Sequence, residues 1–581
     1  MPVSKSSRTP PQRLLPLWGG RTLLVASGLL VTLCFVVLQI FPPLFIQQTE
    51  LRFYDLMITG RASQQKSGIP VIVGIDEESL NTYGQWPWPR YRLASLVDKL
   101  RHMGASVVVL DFLMPEPDRT SPDLIMSERR RDLGLSPTHS PSIPTDSNSE
   151  RLAEAIAKQP CILGYFFDFS GGLTSKTGSG AHLPPGMVVA STTGIESEWP
   201  VPTGMIRSIP LLAAAASAEG FTNAQHDVDG VLRRVPLLLN HEGRFYPSLA
   251  FGAALLSSRQ RSLQITRDST ETLLVWNDRR IPLDRHGNFL VDFREKNSFP
   301  YFSAKTILSG KPVEGSLQGK VVLIGAWAKG LGDSHQVPSG QSLNGVEVHA
   351  NILDNILSGN FISRPGWARG AELFAVLLVG VLSTWLFSRP GFVIAMLAIA
   401  AITGGGYLGV LELLLSKGVF VSPLITISTP IAVIAFLSLL KYGIEARNVR
   451  QRNLDLIEAQ DAIIVSMSAL AEARDEESGK HILRTQHYVE TLARQLATLP
   501  HYAAILDEAS IDILAKSAPL HDIGKVGIPD SILCKPTALN AEEYAVIKTH
   551  ALIGAHALSS TISRMKHPEK LSFLHYALQM A

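Results

Sequence analysis

The stretch VIVGIDEESLNTYGQWPWPRYRLASLVDKLRHMGASVVVLD, residues 71–111, determines the fold class that the sequence predicts for the first half of the chain. Residues 71–75 and 106–110 are short apolar runs rich in β-branched residues, which is typical of buried strands. Between them, apolar residues recur at helical spacing over 91–103. A strand–helix–strand unit of this kind requires two parallel strands. We therefore predict an α/β domain, with further strands at 161–167 and 319–325, a helix over 346–357 and a surface insertion over 118–149.

Three aspartates follow predicted strands of this domain. Asp76 and Asp111 come directly after the first two strands, and Asp333 ends a glycine-rich loop, AWAKGLGD, after a later strand. In an open parallel sheet, ligands bind beyond the carboxyl ends of the strands. We therefore predict a ligand site that includes Asp76, Asp111 and Asp333. The alternative is that these aspartates cap turns and helix starts. The loop matches no nucleotide-binding motif.

Four apolar runs are long enough to cross a lipid bilayer, for which about 20 residues are needed. They are 22–41, 371–387, 391–415 and 422–440. Charged residues make up 18% of the 581 residues, against about 25% in ordinary soluble chains. These features predict a multidomain membrane protein with four transmembrane helices. The alternatives are buried core helices and, for the first run, a cleaved signal peptide, although 22–41 lacks a small-x-small cleavage site.

Basic residues flank the first and the last of these runs. Lys5, Arg8, Arg13 and Arg21 precede the first, and Lys441 opens a basic stretch after the fourth. Because positively charged flanks stay in the cytoplasm, we predict that both termini are cytoplasmic. Residues 1–21 then form a cytoplasmic N-terminus, and the domain over 47–369 lies outside the cytoplasm. The net charge of +2 provides no field that would attract nucleic acid.

A heptad pattern occupies the segment after the last predicted span. Apolar residues of 441–470 recur every seven positions, and a second series lies three or four residues from the first. The two series are Val449, Leu456, Ile463 and Leu470, and Asn453, Gln460 and Met467. This spacing is typical of a two-stranded coiled coil and favours a homodimer. The alternative is an amphipathic helix that packs on its own domain.

Imidazole and carboxylate side chains gather near the end of the chain. The candidate metal ligands are Glu477, His481, His521, Asp522 and His550. Ligands of these types suit Fe, Mn or Zn, and there is no thiolate site. Two ions bridged by a carboxylate can activate water and hold phosphoryl oxygens during in-line attack. Lys525 could bind a phosphate as a point charge. Alternatively, the His-Asp pair ends a helix, and Glu477 and His481 form an ordinary i,i+4 pair.

Several motifs resemble the second-type CHASE domain, an extracytoplasmic sensor module of bacterial signalling proteins. They are Tyr54-Asp55, IDEES…GQWPWPR (75–90), LDFLMPEPD (110–118) and GKVVLIG…GLGD…GVEVHANILDNIL (319–357). In that family the sensor is usually followed by three membrane spans. The resemblance implies an unidentified extracytoplasmic ligand and a place in the bacterial inner membrane.

Two longer motifs resemble the HD-GYP branch of the HD phosphohydrolases. They are ALAEARDEESGKHILRTQHYVETLA (469–493) and SAPLHDIGKVGIPDSILCKPTALNAEEYAVIKTH (517–550). The resemblance implies an all-α cytoplasmic HD domain over 462–581. It places the five candidate ligands named above on metal positions, Lys525 on a phosphate-contacting position, and Asp522 and Lys525 among the catalytic residues. Family members use two or three Fe or Mn ions to hydrolyse cyclic di-GMP, which is the expected substrate.

The family pattern continues, after residues that resemble 573–577, to a double histidine and a Gly-Tyr-Pro motif. Neither motif is present up to Ala581. We therefore expect an incomplete HD domain, which is inactive as the chain is written. The functional hypothesis is a transmembrane signalling protein of the cyclic di-GMP phosphodiesterase type. The alternative is a catalytically inactive sensor or interaction protein with a degenerate HD domain.

Overall fold

The computed structural model describes most of the chain, and all structural statements below concern the described residues. These are 20–61, 66–134, 146–170, 190–191, 199–241, 243–258, 263–267, 271–310, 317–328, 330–331, 333–389, 391–473, 481–567 and 572–581. The chain divides into two compact units, Met1–Ser438 and Leu439–Ala581.

The first unit contains both helices and strands, whereas the described residues of the second form helices and no strand. The strands are β1 (Pro70–Ile75), β2 (Val107–Leu110), β3 (Cys161–Asp168), β4 (Ala190–Ser191), β5 (Gly204–Ile206), β6 (Ala218–Phe221), β7 (Arg234–Pro236), β8 (Leu238–His241), β9 (Arg244–Pro247), β10 (Leu263–Arg267), β11 (Thr272–Trp276), β12 (Arg279–Leu283), β13 (Asn288–Leu290), β14 (Tyr301–Ser303), β15 (Val321–Ala326), β16 (Ser334–Gln336) and β17 (Ser342–Asn344). The α-helices are α1 (Gly20–Ile40), α2 (Leu44–Ile58), α3 (Glu77–Tyr83), α4 (Arg90–His102), α5 (Pro122–Asp132), α6 (Ser147–Ala157), α7 (Pro210–Ala215), α8 (Leu249–Ser257), α9 (Ala304–Leu308), α10 (Gly345–Ser358), α11 (Trp367–Phe387), α12 (Phe392–Lys417), α13 (Leu424–Glu472), α14 (His481–Leu496), α15 (Pro500–Ala503), α16 (Glu508–Ser517), α17 (Asp530–Leu533), α18 (Ala541–Arg564) and α19 (Ser572–Met580).

A seven-stranded sheet forms the centre of the α/β domain. Its order is β14-β1-β15-β2-β3-β5, and β6 also pairs with β3. Strands β14, β1, β15, β2 and β3 run parallel, as does β6 beside β3, whereas β5 is antiparallel to β3. The predicted parallel pairing and the α/β class are confirmed. Strand β15 lies between β1 and β2, so the carboxyl ends of the three strands meet at one edge.

Both faces of this sheet are buried under helices. Side chains of α8 and α10 pack on one face, where Ile72, Val109 and Leu323 point toward them. Side chains of α4 and α6 cover the other face, from which Val73 and Val108 point toward them. Burial on both faces explains why the strands are apolar throughout rather than alternating.

Four helices of the described chain are long and apolar enough to cross a membrane by length and composition. They are Arg21–Ile40, Trp367–Phe387, Val393–Lys417 and Leu424–Leu470. Each predicted span overlaps one of these helices. The segment 441–470 is helical as predicted, and it belongs to the same helix, α13, as the fourth predicted span.

The described residues of the second unit form helices joined by short loops, with no strand among them, in agreement with the predicted all-α domain. Its core contains the buried side chains of Ile464, Leu520, Leu558, Leu574 and Ala577. Two short 3-10 turns, Ala518–Leu520 and Ile523–Gly527, join α16 to the next part of the domain. These turns carry the His-Asp pair.

Candidate metal centre

The His-Asp pair lies where the two 3-10 turns meet. His521 ends the first turn and Asp522 precedes the second, so neither residue is inside a regular helix. The second turn packs directly on α18. A Cβ atom at Gly524 would overlap the carbonyl oxygen of His550, so this close approach requires glycine. The packing of Gly524 on α18 thereby brings His550 next to Asp522.

The carboxylate of Asp522 is the centre of the cluster. Its Oδ2 atom lies 3.3 Å from Nε2 of His521 and 2.8 Å from Nζ of Lys525. Its Oδ1 atom lies 3.5 Å from Nε2 of His550. The two oxygens of one carboxylate thus face two different histidines.

Backbone carbonyl groups orient both of these imidazole rings. Nδ1 of His521 lies 2.8 Å from the carbonyl oxygen of Ala518, and Nδ1 of His550 lies 2.6 Å from that of Ile547. A carbonyl oxygen can only accept, so each Nδ1 carries the proton and donates it. In a neutral ring the lone pair is then on Nε2, which faces Asp522 in both cases. Metal-binding histidines are commonly oriented by such a second hydrogen bond.

His481, the first residue of α14, completes a compact group. Its ring centroid lies 5.7 Å from that of His521. One ligand atom from each of His481, His521 and Asp522 lies within 4.8 Å of the other two. We call His481, His521, Asp522 and His550 the C-terminal cluster. The fifth predicted ligand, Glu477, lies outside the described residues.

Charges within the cluster favour an ionised carboxylate. Burial alone would raise the pKa of Asp522, but hydrogen bonds from His521 and Lys525 outweigh burial, and its pKa lies well below the usual range. Without a metal ion, Nε2 of His521 can carry a second proton and donate it to Asp522, and this hydrogen bond raises the pKa of His521 against the opposite effect of burial. A metal ion would take the place of that proton on Nε2. The pair therefore favours a negative carboxylate at neutral pH, which is the form that binds cations.

The donor set fits divalent transition-metal ions. Neutral imidazole nitrogens and a carboxylate oxygen are ligands of Fe, Mn and Zn. Two ligand atoms on a common ion are about 3 Å apart, since each lies about 2.0–2.2 Å from the ion. The distance of 3.3 Å between His521 Nε2 and Asp522 Oδ2 meets this requirement. The second oxygen of Asp522, which faces His550, suits a carboxylate that bridges two ions.

The predicted ligand residues of the α/β domain have different surroundings. Asp76 is the N-cap of α3: its carboxylate accepts hydrogen bonds from the Ser79 amide at 2.9 Å, the Tyr301 hydroxyl at 2.8 Å and the Ser303 hydroxyl at 2.9 Å. These hydrogen bonds outweigh burial and lower the pKa of Asp76. The geometry of Asp76 is that of a structural cap.

Asp111 lies beside a buried histidine. Its Oδ1 atom is 3.5 Å from Nε2 of His349, which belongs to α10. Burial raises the pKa of Asp111, His349 opposes this effect, and the charge of Asp333 adds to it. Asp111 and Asp333 are thus close enough for their charges to interact, at the carboxyl edge of the sheet.

Three polar groups of the first unit were missed in the sequence analysis. Arg233 binds three aspartates, and His226 contacts His335. Glu372, which belongs to the candidate span α11, accepts hydrogen bonds from residues outside that helix. For Glu372 a signal was available, because a carboxylate in an apolar run is costly without partners. The partners of Arg233 and His226 are distant in sequence or on irregular loops, which no local pattern reveals.

Two family models match the chain. The CHASE2 domain model matches residues 29–384, which is more than half of the chain. The HD domain model matches residues 479–573, a range that contains His481, His521, Asp522 and His550. The two models cover separate parts of the chain.

Curated relatives match a shorter part of the chain. A "Cyclic di-GMP phosphodiesterase" of Vibrio cholerae is 54% identical over 122 residues, which are 21% of this chain and 24% of the relative. A "Probable cyclic di-GMP phosphodiesterase" of the same organism is 51% identical over 110 residues, 19% of this chain and 25% of the relative. Its "3'3'-cGAMP-specific phosphodiesterase 2" is 35% identical over 117 residues, 20% of this chain and 21% of the relative. The chain thus spans about a quarter of the length of these relatives.

Proposed function

This chain belongs to the CHASE2-domain family, and from that premise we propose that it is a bacterial membrane signalling protein. In this proposal, an extracytoplasmic sensor controls a metal-dependent HD-GYP phosphohydrolase domain that acts on cyclic di-GMP. The match of the HD domain model and the names of the curated relatives support the second half of the proposal.

One observation carries the enzymatic part of the proposal. The two oxygens of Asp522 face Nε2 of His521 and Nε2 of His550, at 3.3 Å and 3.5 Å. Both rings donate Nδ1–H to backbone carbonyl groups. In an isolated surface His-Asp pair, no second histidine such as His550 would face the same carboxylate. We assign His481, His521, Asp522 and His550 as metal ligands, with Glu477 as a further ligand.

The residues of the cluster would have different roles in phosphodiester hydrolysis. Bound divalent ions, Fe or Mn in this proposal, would activate water and neutralise charge on the phosphoryl oxygens. Asp522 holds the two histidines around one carboxylate. Lys525, whose Nζ lies 2.8 Å from Asp522 Oδ2, carries the positive charge that would contact a substrate phosphate. The carbonyl oxygens of Ala518 and Ile547 keep the two rings in the tautomer that binds a cation.

The substrate class follows from the relatives. The two relatives above 50% identity are named for cyclic di-GMP, and the third, at 35%, is named for 3'3'-cGAMP. Both molecules are cyclic dinucleotides. Because the more similar relatives share one substrate name, we propose cyclic di-GMP.

The proposed membrane arrangement rests on helix length and on the basic flanks. Four spans place residues 47–369 outside the cytoplasm and both termini inside, with the protein in the bacterial inner membrane. The segment 441–470 would pair with a second copy of the chain. Its heptad residues Val449, Leu456 and Ile463 are 47%, 67% and 59% exposed in the single chain, so they are open to a partner helix.

Hydrolysis by the purified full chain tests the proposal. The chain is reconstituted in lipid, loaded with Mn²⁺ or Fe²⁺, and given cyclic di-GMP or 3'3'-cGAMP in parallel. We expect metal binding that is lost after chelation, and any cleavage should depend on the metal and be faster for cyclic di-GMP than for 3'3'-cGAMP. Metal binding without cleavage of either dinucleotide would favour the alternative, a non-catalytic sensor or interaction protein.

A further inference from the structure

Helix α2 leaves one apolar face uncovered by the protein. Leu44, Phe45 and Leu56 are 58%, 65% and 65% exposed, and Arg52 is also exposed. Arg52 lies eight positions after Leu44, seven after Phe45 and four before Leu56, so the four residues share one face of the helix. We call Leu44, Phe45, Arg52 and Leu56 the outer face of α2.

The opposite face of α2 is occupied by other parts of the protein. Tyr54 is buried against Phe420, with the ring centroids 4.9 Å apart. The neighbouring Asp55 forms an ion pair with Arg233 of the α/β domain. The helix is therefore fixed on one side, while large apolar side chains on its other side lack a cover.

The position of α2 in the chain indicates what covers the outer face. The helix begins shortly after Ile40, the last residue of the first candidate span. Exposed apolar side chains continue in sequence from this span into α2, through Val37, Ile40 and Phe41 to Phe45. A surface that is continuous with the lipid-facing side of a span is expected to contact lipid as well.

A second contact places α2 beside a span. Phe53 of α2 packs on Tyr407 of α12, with ring centroids 6.3 Å apart. Tyr407 lies ten residues before Lys417, the end of this candidate span, which corresponds to about 15 Å along the helix axis. At 15 residues, with three charged side chains among them, α2 is itself too short and too polar to cross a bilayer.

We propose that the outer face of α2 binds the phospholipid layer on the external side of the membrane. Leu44, Phe45 and Leu56 would enter the boundary between headgroups and acyl chains, and Arg52 would contact headgroup phosphates. Helices that lie in this layer combine an apolar face with basic residues. Arg52 forms no ion pair within the described part of the chain, so its guanidinium group is available to a phosphate. The inference rests on the membrane arrangement proposed above.

The same helix connects this lipid contact with the sensor and with a second span. Asp55 binds Arg233 of the sensor. Glu50 lies 2.8 Å from Nη2 of Arg364, which also binds Glu372 of α11 at 3.0 Å. A change in the lipid layer that shifts α2 therefore acts on both attachments. In this way the sensor would respond to the state of the external lipid layer.

Spin-label accessibility in the full chain tests the proposal. The parent carries Cys34→Ala and Cys534→Ser, and the remaining Cys161 is buried, so a label reacts only with an added cysteine. Phe45→Cys and Leu56→Cys are labelled and placed in lipid nanodiscs. Power saturation then compares collisions with oxygen, which concentrates in lipid, and with a neutral water-soluble nickel complex. We expect oxygen to dominate at both positions.

Two further labels calibrate the measurement. Ile125→Cys, on the exposed face of α5, is 48% exposed and should favour the nickel complex. Leu30→Cys, inside the first candidate span, is 62% exposed and should favour oxygen. Oxygen at Leu30 with nickel at both α2 positions would overturn this inference and leave the membrane arrangement intact. Nickel at Leu30 would contradict that arrangement and this inference with it. Low access of both reagents to the α2 labels would indicate cover by protein, such as a second copy, and would also overturn the inference.

Arg52→Glu tests the contact with headgroups. In nanodiscs that contain phosphatidylglycerol, the reversed charge should repel the anionic headgroups, so the label at Leu56 should become more accessible to the nickel complex. Arg285→Glu changes an exposed arginine of the α/β domain and should leave this label unaffected. Thermal unfolding midpoints verify that each variant is folded. Equal nickel access at Leu56 in the parent and Arg52→Glu would overturn the contact between Arg52 and the headgroups.

Discussion

Arg233 holds Asp55 in a two-pronged ion pair: Nε lies 2.7 Å from Oδ1 and Nη2 lies 2.6 Å from Oδ2. The arginine side chain is 1% exposed. Asp227 and Asp229 bind the same guanidinium group at 3.1 Å and 2.7 Å. Asp55 belongs to α2, whereas Arg233 and its other partners belong to the α/β domain. One buried guanidinium group therefore attaches the helix after the first candidate span to the sensor.

Replacement of Arg233 by methionine should destabilise the sensor strongly. The change leaves three carboxylates without their common cation, and breaking a buried pair by removing one partner costs about 3–5 kcal/mol. Thermal unfolding of the full chain in detergent measures the loss. Asp55→Asn should cost less, because Arg233 keeps two partners. A double-mutant cycle between the two positions should give a coupling energy above about 1 kcal/mol, and additive effects would contradict the ion pair.

Asp229 should make this stability depend on pH. The hydrogen bond from Arg233 is the main reason why the pKa of Asp229 lies below its ordinary value. A carboxyl group whose pKa is lower in the folded state stabilises the fold above its unfolded pKa of about 3.9. That contribution is lost as the pH falls through the folded pKa. We expect wild type to unfold at a higher temperature than Asp229→Asn at pH 6, and the difference to shrink below about pH 4. A difference that stays constant with pH would contradict this assignment.

Glu372 should hold three segments of the membrane region together. Its carboxylate accepts hydrogen bonds from Gln39 of α1 at 2.8 Å, from Arg364 at 3.0 Å and from the amide of Ser422 at 2.7 Å. The side chain is 1% exposed. Glu372→Ala leaves buried donors unpaired, at a cost of about 1–3 kcal/mol for each.

The Glu372→Gln variant is the matched comparison. Its amide oxygen can still accept from Ser422, so it should unfold at a temperature between those of wild type and Glu372→Ala. Thermal unfolding in lipid nanodiscs measures the unfolding temperatures of the three proteins and so gives their order. Equal unfolding temperatures for all three proteins would show that Glu372 does not hold the segments together.

Lys525→Met should separate substrate contact from metal binding. Lys525 lies 2.8 Å from Asp522 but is not among the proposed metal ligands. If the chain hydrolyses cyclic di-GMP, this variant should keep its metal and lose most of its turnover, by about 100-fold, since a phosphate-binding charge supplies about 3 kcal/mol. Lys548→Met, whose ammonium group lies over the ring of Tyr544, is the control. Loss of metal from Lys525→Met would instead indicate a structural role for the lysine.

Much of the fold could be predicted because its signals are local. The strands over 71–75 and 106–110 and the helix between them are defined by period and composition within about 40 residues. The membrane helices are defined by length and apolarity. The bounds of the predicted helix over 346–357 differ from those of α10 by one residue at each end.

The interpretation of 118–149 as a surface insertion was wrong in part, for a physical reason. Its ends are held by Arg90: the amide of Arg90 donates to Asp118 at 2.7 Å, and its guanidinium group lies 3.4 Å from Asp146. Both aspartates lie in a stretch rich in Pro, Ser and Arg, which resembles solvent-exposed sequence. Contacts between residues so far apart in sequence depend on tertiary packing, which no local pattern describes.

The candidate sites, too, combine residues that local sequence signals predict with contacts that only the structure shows. His521 and Asp522 are adjacent in sequence, and the motif around them is specific. The orientation of the two histidines by Ala518 and Ile547 required the structure. In the sensor, the sequence analysis found Asp111 and Asp333 from their position after strands. It did not find the contacts of His226 with His335 and of His349 with Asp111, because they join residues that are far apart in sequence.

The most direct test of the central claim is the metal content of Asp522→Asn. This variant keeps the size of the side chain and removes the charge that faces His521, His550 and Lys525. Asp512→Asn, whose side chain is 63% exposed, is the matched control. Each full-length protein is loaded with Mn²⁺, passed through a desalting column and analysed for metal and for hydrolysis of cyclic di-GMP. We predict that the ions held by the C-terminal cluster, and any turnover, are retained in wild type and Asp512→Asn and lost in Asp522→Asn. Equal metal content in all three proteins would contradict the assignment of the C-terminal cluster as a metal centre.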